Sequence, residues 1–249
     1  MKKINKKNMD DSKDLTLVGH LAELRKRLIY SALVLIAAVL IFYNYSELVV
    51  KDIVNISPET EFVFIAPAEL LMSYIKIAVV GGLVVAAPFL LIQIWLFISP
   101  GLKSEEKKYV IISLLTGSLF FIVGIIFSYI VVLPTMIKFF IGFQIEEVQA
   151  MLSFRTYLDF VINTLLAFGL IFELPILMVL VTRLGLVKID FLKKNRKMFI
   201  LVIFIIAAIL TPPDVISQTM LALPMLALFE IGILLSSMVQ KREQTKTPS

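Results

Sequence analysis

The chain has 249 residues, of which 59% are hydrophobic and only 17% are charged, and its mean hydropathy is +0.94. A soluble domain of this length normally has about a quarter of its residues charged, so the composition excludes a soluble globular protein. With no cysteine, the chain forms neither disulfides nor thiolate metal sites, and its net charge of +5 depends on where the basic residues lie.

Six apolar stretches predict membrane-spanning helices, because runs of about 18 or more nearly uncharged residues are long enough to cross a bilayer. The predicted fold is therefore an all-α integral membrane protein with six transmembrane helices. No internal repeat is visible, so we expect a single polytopic membrane domain over residues 1–249, with an N-terminal cytoplasmic segment at 1–27 and a cytoplasmic tail at 239–249. The predicted spans are 28–44, 70–97, 109–132, 160–182, 198–210 and 215–238.

The distribution of Lys and Arg predicts the orientation of these spans. Twenty of the 24 basic residues lie before the first span, in the second and fourth connections, or in the tail. Since cytoplasmic connections are enriched in Lys and Arg, both termini and the even-numbered connections are expected in the cytoplasm. The positive charge thus indicates topology and contact with membrane lipid, and it gives no indication of nucleic-acid binding.

The segment "GHLAELRKRLIY" precedes the first span and is predicted to be an interfacial helix that continues into the membrane. Its leucines recur at helical spacing, whereas Glu23 and Arg27 share another face. Because these two residues are four positions apart, an ordinary ion pair on the helix surface would account for both of them.

The second span contains Lys76, which lies near its outer end and can extend its ammonium group to the interface. The connection that follows, "WLFISPGLKSEEKKYV", places Glu106 in the first turn of the third span, where the helix dipole favours an acid. Yet two basic cytoplasmic segments each place a carboxylate at the membrane surface, where lipid and topology favour cations. A cationic ligand would explain Glu23 and Glu106 together.

The fourth span contains a carboxylate in the middle of the apolar run "LLAFGLIFELPILMVLV". A charged side chain at this depth costs about 2.5–3.5 kcal/mol on insertion scales, so Glu173 is expected to face the protein interior, a wet groove or another helix. Pro175 is expected to bend the helix beside it. One interpretation is a neutral Glu173 bonded to Thr164 or to a serine of a neighbouring span; the other is a contact with a partner.

The fifth and sixth spans are predicted to be short. Residues 198–210 form a helix of about 20 Å, against a hydrocarbon core of about 30 Å, so we expect local thinning of the bilayer. "TPPD" ends the fifth helix, and Asp214 is placed to cap the sixth, with Gln218 one turn further on. Pro212, Asp214 and Gln218 would then lie at the outer rim of this thin wall.

Four segments, in chain order, resemble the signature segments of the TatC family, the receptor subunit of the twin-arginine protein translocase. They are "HLAELRKRL", "FISPGLKSEEKK", "FGLIFELPI" and "ILTPPDVISQTMLALPMLALFE". The resemblance implies a multi-pass protein of the cytoplasmic (inner) membrane that binds twin-arginine signal peptides at its cytoplasmic face. It also implies recruitment of single-span TatA and TatB subunits, contact with further TatC copies, and export of folded proteins driven by the proton-motive force, without a cofactor or a metal.

The resemblance also assigns roles to residues of this chain. It implies that Glu173, next to Pro175, is the docking point for a partner helix, and that the "TPPD…Q" segment is functional. The residues that it assigns to the signal-peptide site are Glu23, Arg25, Phe97, Pro100 and Glu106.

A secondary active transporter is the main alternative, with Glu173 as an intramembrane ion or proton site. That function predicts inverted repeats with broken spans in matching halves, and no such repeat is visible. An enzyme is not expected, because the chain has one histidine, no thiol, and neither an HExxH nor a GxSxG motif.

Overall fold

The computed structural model describes residues 6–57, 61–64, 66–98, 104–142, 152–210 and 215–246, and nearly all of them are helical. A π-helical turn, Ser128–Val132, joins two of the helices, and two short strands are β1 (Phe62–Val63) and β2 (Leu152–Ser153). The helices are α1 (Lys6–Tyr43), α2 (Ser46–Asn55), α3 (Pro67–Ile98), α4 (Ser104–Phe127), α5 (Leu133–Ile141), α6 (Phe154–Phe172), α7 (Leu174–Arg183), α8 (Ile189–Lys194), α9 (Arg196–Leu210) and α10 (Val215–Lys246).

Five helical segments in the described ranges are long and apolar enough to cross a bilayer, by length and composition. They match five of the six predicted spans, and most of them extend further than predicted because the helix continues into flanking polar residues. The segment near the N-terminus belongs to α1, which is continuous with the predicted interfacial helix. The five segments are Gly19–Tyr43, Pro67–Phe97, Lys107–Ile141, Phe154–Arg183 and Val215–Gln240.

The prediction of two short helices at the end of the chain holds for α9 and is wrong for α10. The 15 residues of α9 measure about 22 Å, well below a hydrocarbon thickness of about 30 Å. In contrast, α10 has 32 residues and passes through Pro224 without ending. It continues past the apolar residues because Lys, Arg, Glu and Gln, which dominate its last turns, are good helix formers.

Close backbone contact fixes α1 against α3. A Cβ atom added to Gly82 would lie 2.7 Å from the backbone N and Cα atoms of Val39, so only glycine allows this approach. The adjacent Gly81 faces the ring of Phe42, which lies one turn along α1 from Val39, and a Cβ atom there would overlap that ring. Small residues bring membrane helices together like this, and here they hold the helix that carries Glu23 against its neighbour.

Aromatic side chains pack α4 against α6 in the core of the bundle. The ring of Phe127 lies 5.3 Å from the ring of Phe172 and 6.0 Å from that of Phe168, measured between centroids. Phe168 is completely buried and belongs to a cluster that also includes Met225 and Phe229 of α10. This packing holds the end of α6, next to Glu173, against α4 and α10.

The connections that contain β1 and β2 form a small cap that the sequence did not predict. β1 pairs in parallel with β2, although about 90 residues separate them in the chain. The buried carboxylate of Glu69 accepts hydrogen bonds from the Ser153 hydroxyl at 2.8 Å and from the Ala66 backbone N–H at 3.3 Å. The Tyr157 hydroxyl donates to the Ile53 carbonyl at 2.9 Å, which fastens α2 to α6.

Candidate functional site

Glu23 lies on the N-terminal part of α1, before the apolar run, and is bound to Arg27. The Arg27 Nε donates to Glu23 Oε1 at 3.1 Å, and its Nη2 donates to the same oxygen. The Glu23 side chain is 37% exposed, and its second oxygen, Oε2, has no hydrogen-bond partner among the described residues. The surface ion pair predicted from the spacing is confirmed, and it leaves half of the carboxylate open.

Arg27 also reaches the neighbouring span. Its Nη1 donates to Oε1 of Gln93 on α3 at 3.4 Å, a contact between residues 66 positions apart. Arg27 is only 20% exposed, less than its acidic partner. The guanidinium therefore joins the acidic face of α1 to α3, a link that the sequence did not indicate.

The other residues proposed for the signal-peptide site are described only in part. Arg25 is exposed on α1, and Phe97 is half-buried at the end of α3. Pro100 lies outside the described residues; Glu106 lies in the first turn of α4, but its side chain is outside the described part of the structure. That end of α4 is held by Arg183, whose guanidinium lies 3.6 Å from the centre of the Tyr109 ring.

Glu173 lies at the break between α6 and α7. The sequence predicts a bend at Pro175, and the structure has a break in the helix there: Pro175 has no N–H to donate to the α6 backbone, and α7 begins with the Leu177 N–H bonded to the Glu173 carbonyl at 2.9 Å. The Glu173 side chain is half-buried. Its carboxylate forms no hydrogen bond or ion pair with any residue that the structure describes.

A groove of about 260 Å³ between α3, α4 and α6 contains the Glu173 side chain. A second groove of about 310 Å³ shares Pro88, Leu91 and Ser118 with it and extends to Trp95 near the end of α3. Almost all of this lining is apolar. The two grooves form a path along α3 that leads from the intramembrane acid toward the end of the span that carries Phe97.

The first interpretation of Glu173, a bond to Thr164, is wrong. The Thr164 hydroxyl donates to the Phe160 carbonyl of its own helix at 2.8 Å. Ser118, the serine in the groove, donates to the Leu114 carbonyl at 2.9 Å. Hydroxyls inside helices commonly bond the carbonyl four residues earlier, and here this leaves the acid without a donor in the described bundle.

Pro175, proposed as a docking residue beside Glu173, is fully buried. It packs against α10, where a Cβ atom on Gly232 would lie 3.2 Å from the Pro175 Cα and 2.5 Å from the Met178 sulfur. A buried proline cannot touch a partner helix directly. Its contribution is to interrupt the span and to fix the position of the acid.

Of the three residues proposed for the outer rim, the structure describes one. Pro212 and Asp214 lie outside the described residues, so the predicted cap of α10 has no described counterpart. Gln218 is half-buried, and its side-chain amide donates to the Phe204 carbonyl of α9 at 2.9 Å. This bond ties the short helix to the long one.

Two ion pairs between helices were not anticipated. Lys76 of α3 does not simply extend to the interface, because its ammonium group lies 2.5 Å from the carboxylate of Asp159 on α6. Glu230 of α10 pairs with Arg196 of α9 at 3.2 Å. In each pair the sequence shows an acid and a base at similar depths of two different spans. This pattern predicts an ion pair only when it is known which spans are neighbours.

Comparison with known proteins gives a consistent result. A family model described as "Sec-independent protein translocase protein (TatC)" matches residues 19–224. A TatC of Desulforapulum autotrophicum is 38% identical over 231 residues, which cover 91% of this chain and 86% of the relative. A TatC of Aquifex aeolicus is 37% identical over 236 residues, covering 92% and 98%.

Solved structures agree with the sequence comparisons. A crystal structure titled as the twin-arginine translocase receptor TatC superposes with a TM-score of 0.75 at 36% identity, covering 89% of this chain and 99% of the other. A second structure of that receptor, in DDM, gives a TM-score of 0.77 at 36% identity, covering 87% of this chain and 99% of the other. The chain therefore belongs to the TatC family of Sec-independent protein translocase proteins, as the signature segments predicted.

Proposed function

We propose that this translocase subunit is the signal-peptide receptor of its complex and that it binds Arg-Arg signal peptides of folded cargo at the cytoplasmic face of the inner membrane. Glu23 binds one arginine, and Glu106 is the second carboxylate. Arg25, Phe97 and Pro100 complete the site. The basic residues on one side of the spans support an orientation with both termini in the cytoplasm, which places Glu23 where cargo arrives.

The observation that carries this proposal is the state of the Glu23 carboxylate. One of its oxygens already accepts two N–H groups from a guanidinium, and the other is open to a ligand. A guanidinium presents a planar fork that matches a carboxylate, whereas the Lys ammonium is a point charge, so such a site favours Arg over Lys. Its one-third exposure leaves it accessible and partly screened from water.

The path along α3 supports the second part of the proposal, the recruitment of TatA- and TatB-type single-span subunits. Glu173 lies half-buried in an apolar groove and has no hydrogen-bond partner among the described residues. A polar side chain of a docking helix would satisfy this carboxyl group, and such contacts between membrane helices contribute about 1 kcal/mol. The groove itself is apolar, as a hydrophobic helix requires.

The short α9 supports a role for the wall that it forms with α10. A helix of about 22 Å favours a thinner bilayer beside it. Gln218 holds the two helices together, and Pro212 and Asp214 belong to the connection between them. We assign to this thin wall a weakened barrier for cargo, with transport driven by the proton-motive force and with further TatC copies in the complex.

The experiment that tests the receptor site measures peptide binding. The full chain in lipid nanodiscs is titrated with a fluorescent Arg-Arg signal peptide and its Lys-Lys counterpart. We expect Glu23→Gln to weaken binding of the Arg-Arg peptide about 5- to 20-fold, as for a partly exposed charge-assisted hydrogen bond, and Glu106→Gln to have a similar effect.

Glu47→Gln is the matched control, because Glu47 also forms an i,i+4 pair on a helix surface. Lys51 donates a hydrogen bond to it at 2.7 Å and so lowers the pKa of its carboxyl group, but this pair lies beyond the outer end of α1. Binding that is unchanged in both Glu23→Gln and Glu106→Gln would refute the receptor site. Ion flux catalysed by the purified chain alone would favour the transporter instead.

A further inference from the structure

The Arg27 guanidinium neutralises the Glu23 carboxylate and occupies one of its two oxygens, so a cationic group of a peptide gains the whole carboxylate only after Arg27 leaves. Its Nε and Nη2 both donate to Glu23 Oε1, and Oε2 has no hydrogen-bond partner among the described residues. The chain therefore contains, four residues from the acid, a group of the same chemistry as the group it would bind.

The Glu23–Arg27 pair differs from an ordinary ion pair on a helix surface. Glu47 and Lys51 have the same spacing, but their side chains are 67% and 64% exposed, and neither forms a further hydrogen bond with a described residue. Arg27 is 20% exposed and donates to Gln93 of α3 as well. Ion pairs between exposed, flexible side chains are weak. A guanidinium that contacts two helices is already restrained, so it loses less freedom when it pairs with a carboxylate, and the ion pair is formed for more of the time.

We propose that Arg27 is an internal competitor for the Glu23 carboxylate, held in place by Gln93, and that an incoming arginine must displace it. This inference rests on the proposed receptor function and adds a regulation to the same site. A peptide that binds only when the carboxylate is free has an apparent affinity reduced by the fraction of time for which it is free. Arg27 thereby sets a threshold that weak or single cationic contacts do not reach.

The ratio of the two peptide affinities distinguishes simple competition by Arg27 from direct selection between Arg and Lys. Removal of Arg27 raises the affinity of every ligand of Glu23 by the same factor. This factor depends only on the fraction of time for which Glu23 is free of Arg27 in the empty site. The ratio of Arg-Arg to Lys-Lys affinity should therefore stay constant while both affinities rise. If Arg27 instead selected between the two cations directly, this ratio would change.

The test uses the full chain in nanodiscs and the same two fluorescent peptides. If Arg27 occupies the carboxylate for about 80–95% of the time, Arg27→Gln should tighten both peptides about 5- to 20-fold. Gln93→Leu removes the second partner and leaves both charges in place, so it should tighten them by a smaller factor, about 2- to 3-fold.

Lys26→Gln is the matched control for charge. It removes the same charge from the next position, but Lys26 lies over the ring of Tyr30 at 5.9 Å and has no ion pair among the described residues. We expect it to change affinity less than about 2-fold, as for an exposed charge. Equal effects of Lys26→Gln and Arg27→Gln would overturn the inference, because net charge alone would then explain both.

The remaining outcomes separate this inference from the proposed function. Weaker binding in Arg27→Gln would show that Arg27 positions Glu23 or contacts the peptide, and would overturn the competition. A Glu23→Gln variant that loses affinity, together with an Arg27→Gln variant that gains none, would refute the competitor and leave the receptor site intact. If Glu23→Gln loses no affinity, the receptor site falls and the competitor falls with it. Gln93→Leu, which keeps the ion pair, provides a reading even if Arg27→Gln fails to fold.

Discussion

The contact between α1 and α3 at Gly82 makes a sharp prediction about stability. In Gly82→Ala the new Cβ would lie 2.7 Å from the backbone of Val39, where ordinary contacts begin at 3.4 Å, so the helices must separate by about 0.7 Å. Backbone atoms cannot rotate out of the way as a side chain can. Overpacking of this kind costs about 1–3 kcal/mol, offset by about 0.5–1 kcal/mol because alanine is the better helix former.

The net destabilisation, centred on about 1 kcal/mol and reaching about 2.5 kcal/mol, should lower the melting temperature by about 2–4 °C and at most by about 10 °C, given about 2–4 °C per kcal/mol for a chain of this size. Trp95 is the single tryptophan and is buried in α3, so its fluorescence reports unfolding in detergent. Gly117→Ala is the matched control, because a Cβ atom at this helical glycine would meet nothing within 4 Å. It should melt at or above the temperature of the parent chain.

Gly82→Ala should also affect the receptor site, because it moves α1, which carries Glu23 and Arg27, away from α3. Since Arg27 on α1 bonds Gln93 on α3 at 3.4 Å, a separation of the helices by a fraction of an ångström lengthens this bond beyond a useful distance. The chain has no cysteine, so pairs of introduced cysteines allow spin-label distances between α1 and α3 to be measured without background. Equal melting temperatures and distances in Gly82→Ala and Gly117→Ala would refute the close contact.

Two further predictions concern charged groups in the spans. Glu173→Leu should raise the melting temperature, because an unpaired, half-buried carboxyl group is removed. Photocrosslinking from Ile122, which lines the same groove, to TatA- or TatB-type helices should fall about 5-fold, equivalent to about 1 kcal/mol; undiminished crosslinking would exclude the docking role. Lys76→Leu and Asp159→Leu should each destabilise the chain by leaving one charge unpaired, whereas the double variant should recover part of the loss in melting temperature. Additive losses in the double variant would contradict the ion pair.

The helices could be predicted from the sequence because the bilayer imposes a length on each apolar run. The ends of the helices were less predictable, because polar residues that continue a helix and polar residues that end it have similar hydropathy. Residues after Gln240 are polar, and polarity alone suggested the end of the last helix, yet they are good helix formers and α10 continues to Lys246. The two-residue strand β1 is too short to show an alternating pattern, and its pairing with β2 depends on a residue about 90 positions away.

The candidate site was predictable as far as it depends on single residues. Glu173 stood out because an acid in an apolar run has a cost, and the break at Pro175 follows from the missing N–H group. The groove around Glu173 was not predictable, because three helices contribute its walls. The Arg27–Gln93 bond was missed for the same reason: helical spacing indicates neighbours on one helix and says nothing about which helix lies alongside.

In a bilayer, a polar side chain needs a hydrogen-bond or ion-pair partner. Where its own chain provides none, a partner from another chain is expected. Lys76 finds Asp159 on a neighbouring helix, and Gln218 finds a backbone carbonyl of α9, so each of these side chains is satisfied within the chain. Glu173 has no such partner among the described residues, although a neighbouring serine lies in the same groove. A partly buried polar group that the protein does not satisfy itself is costly to keep unless something else satisfies it. This difference, rather than the mere presence of an acid in a span, is the physical reason to expect a second helix at the groove.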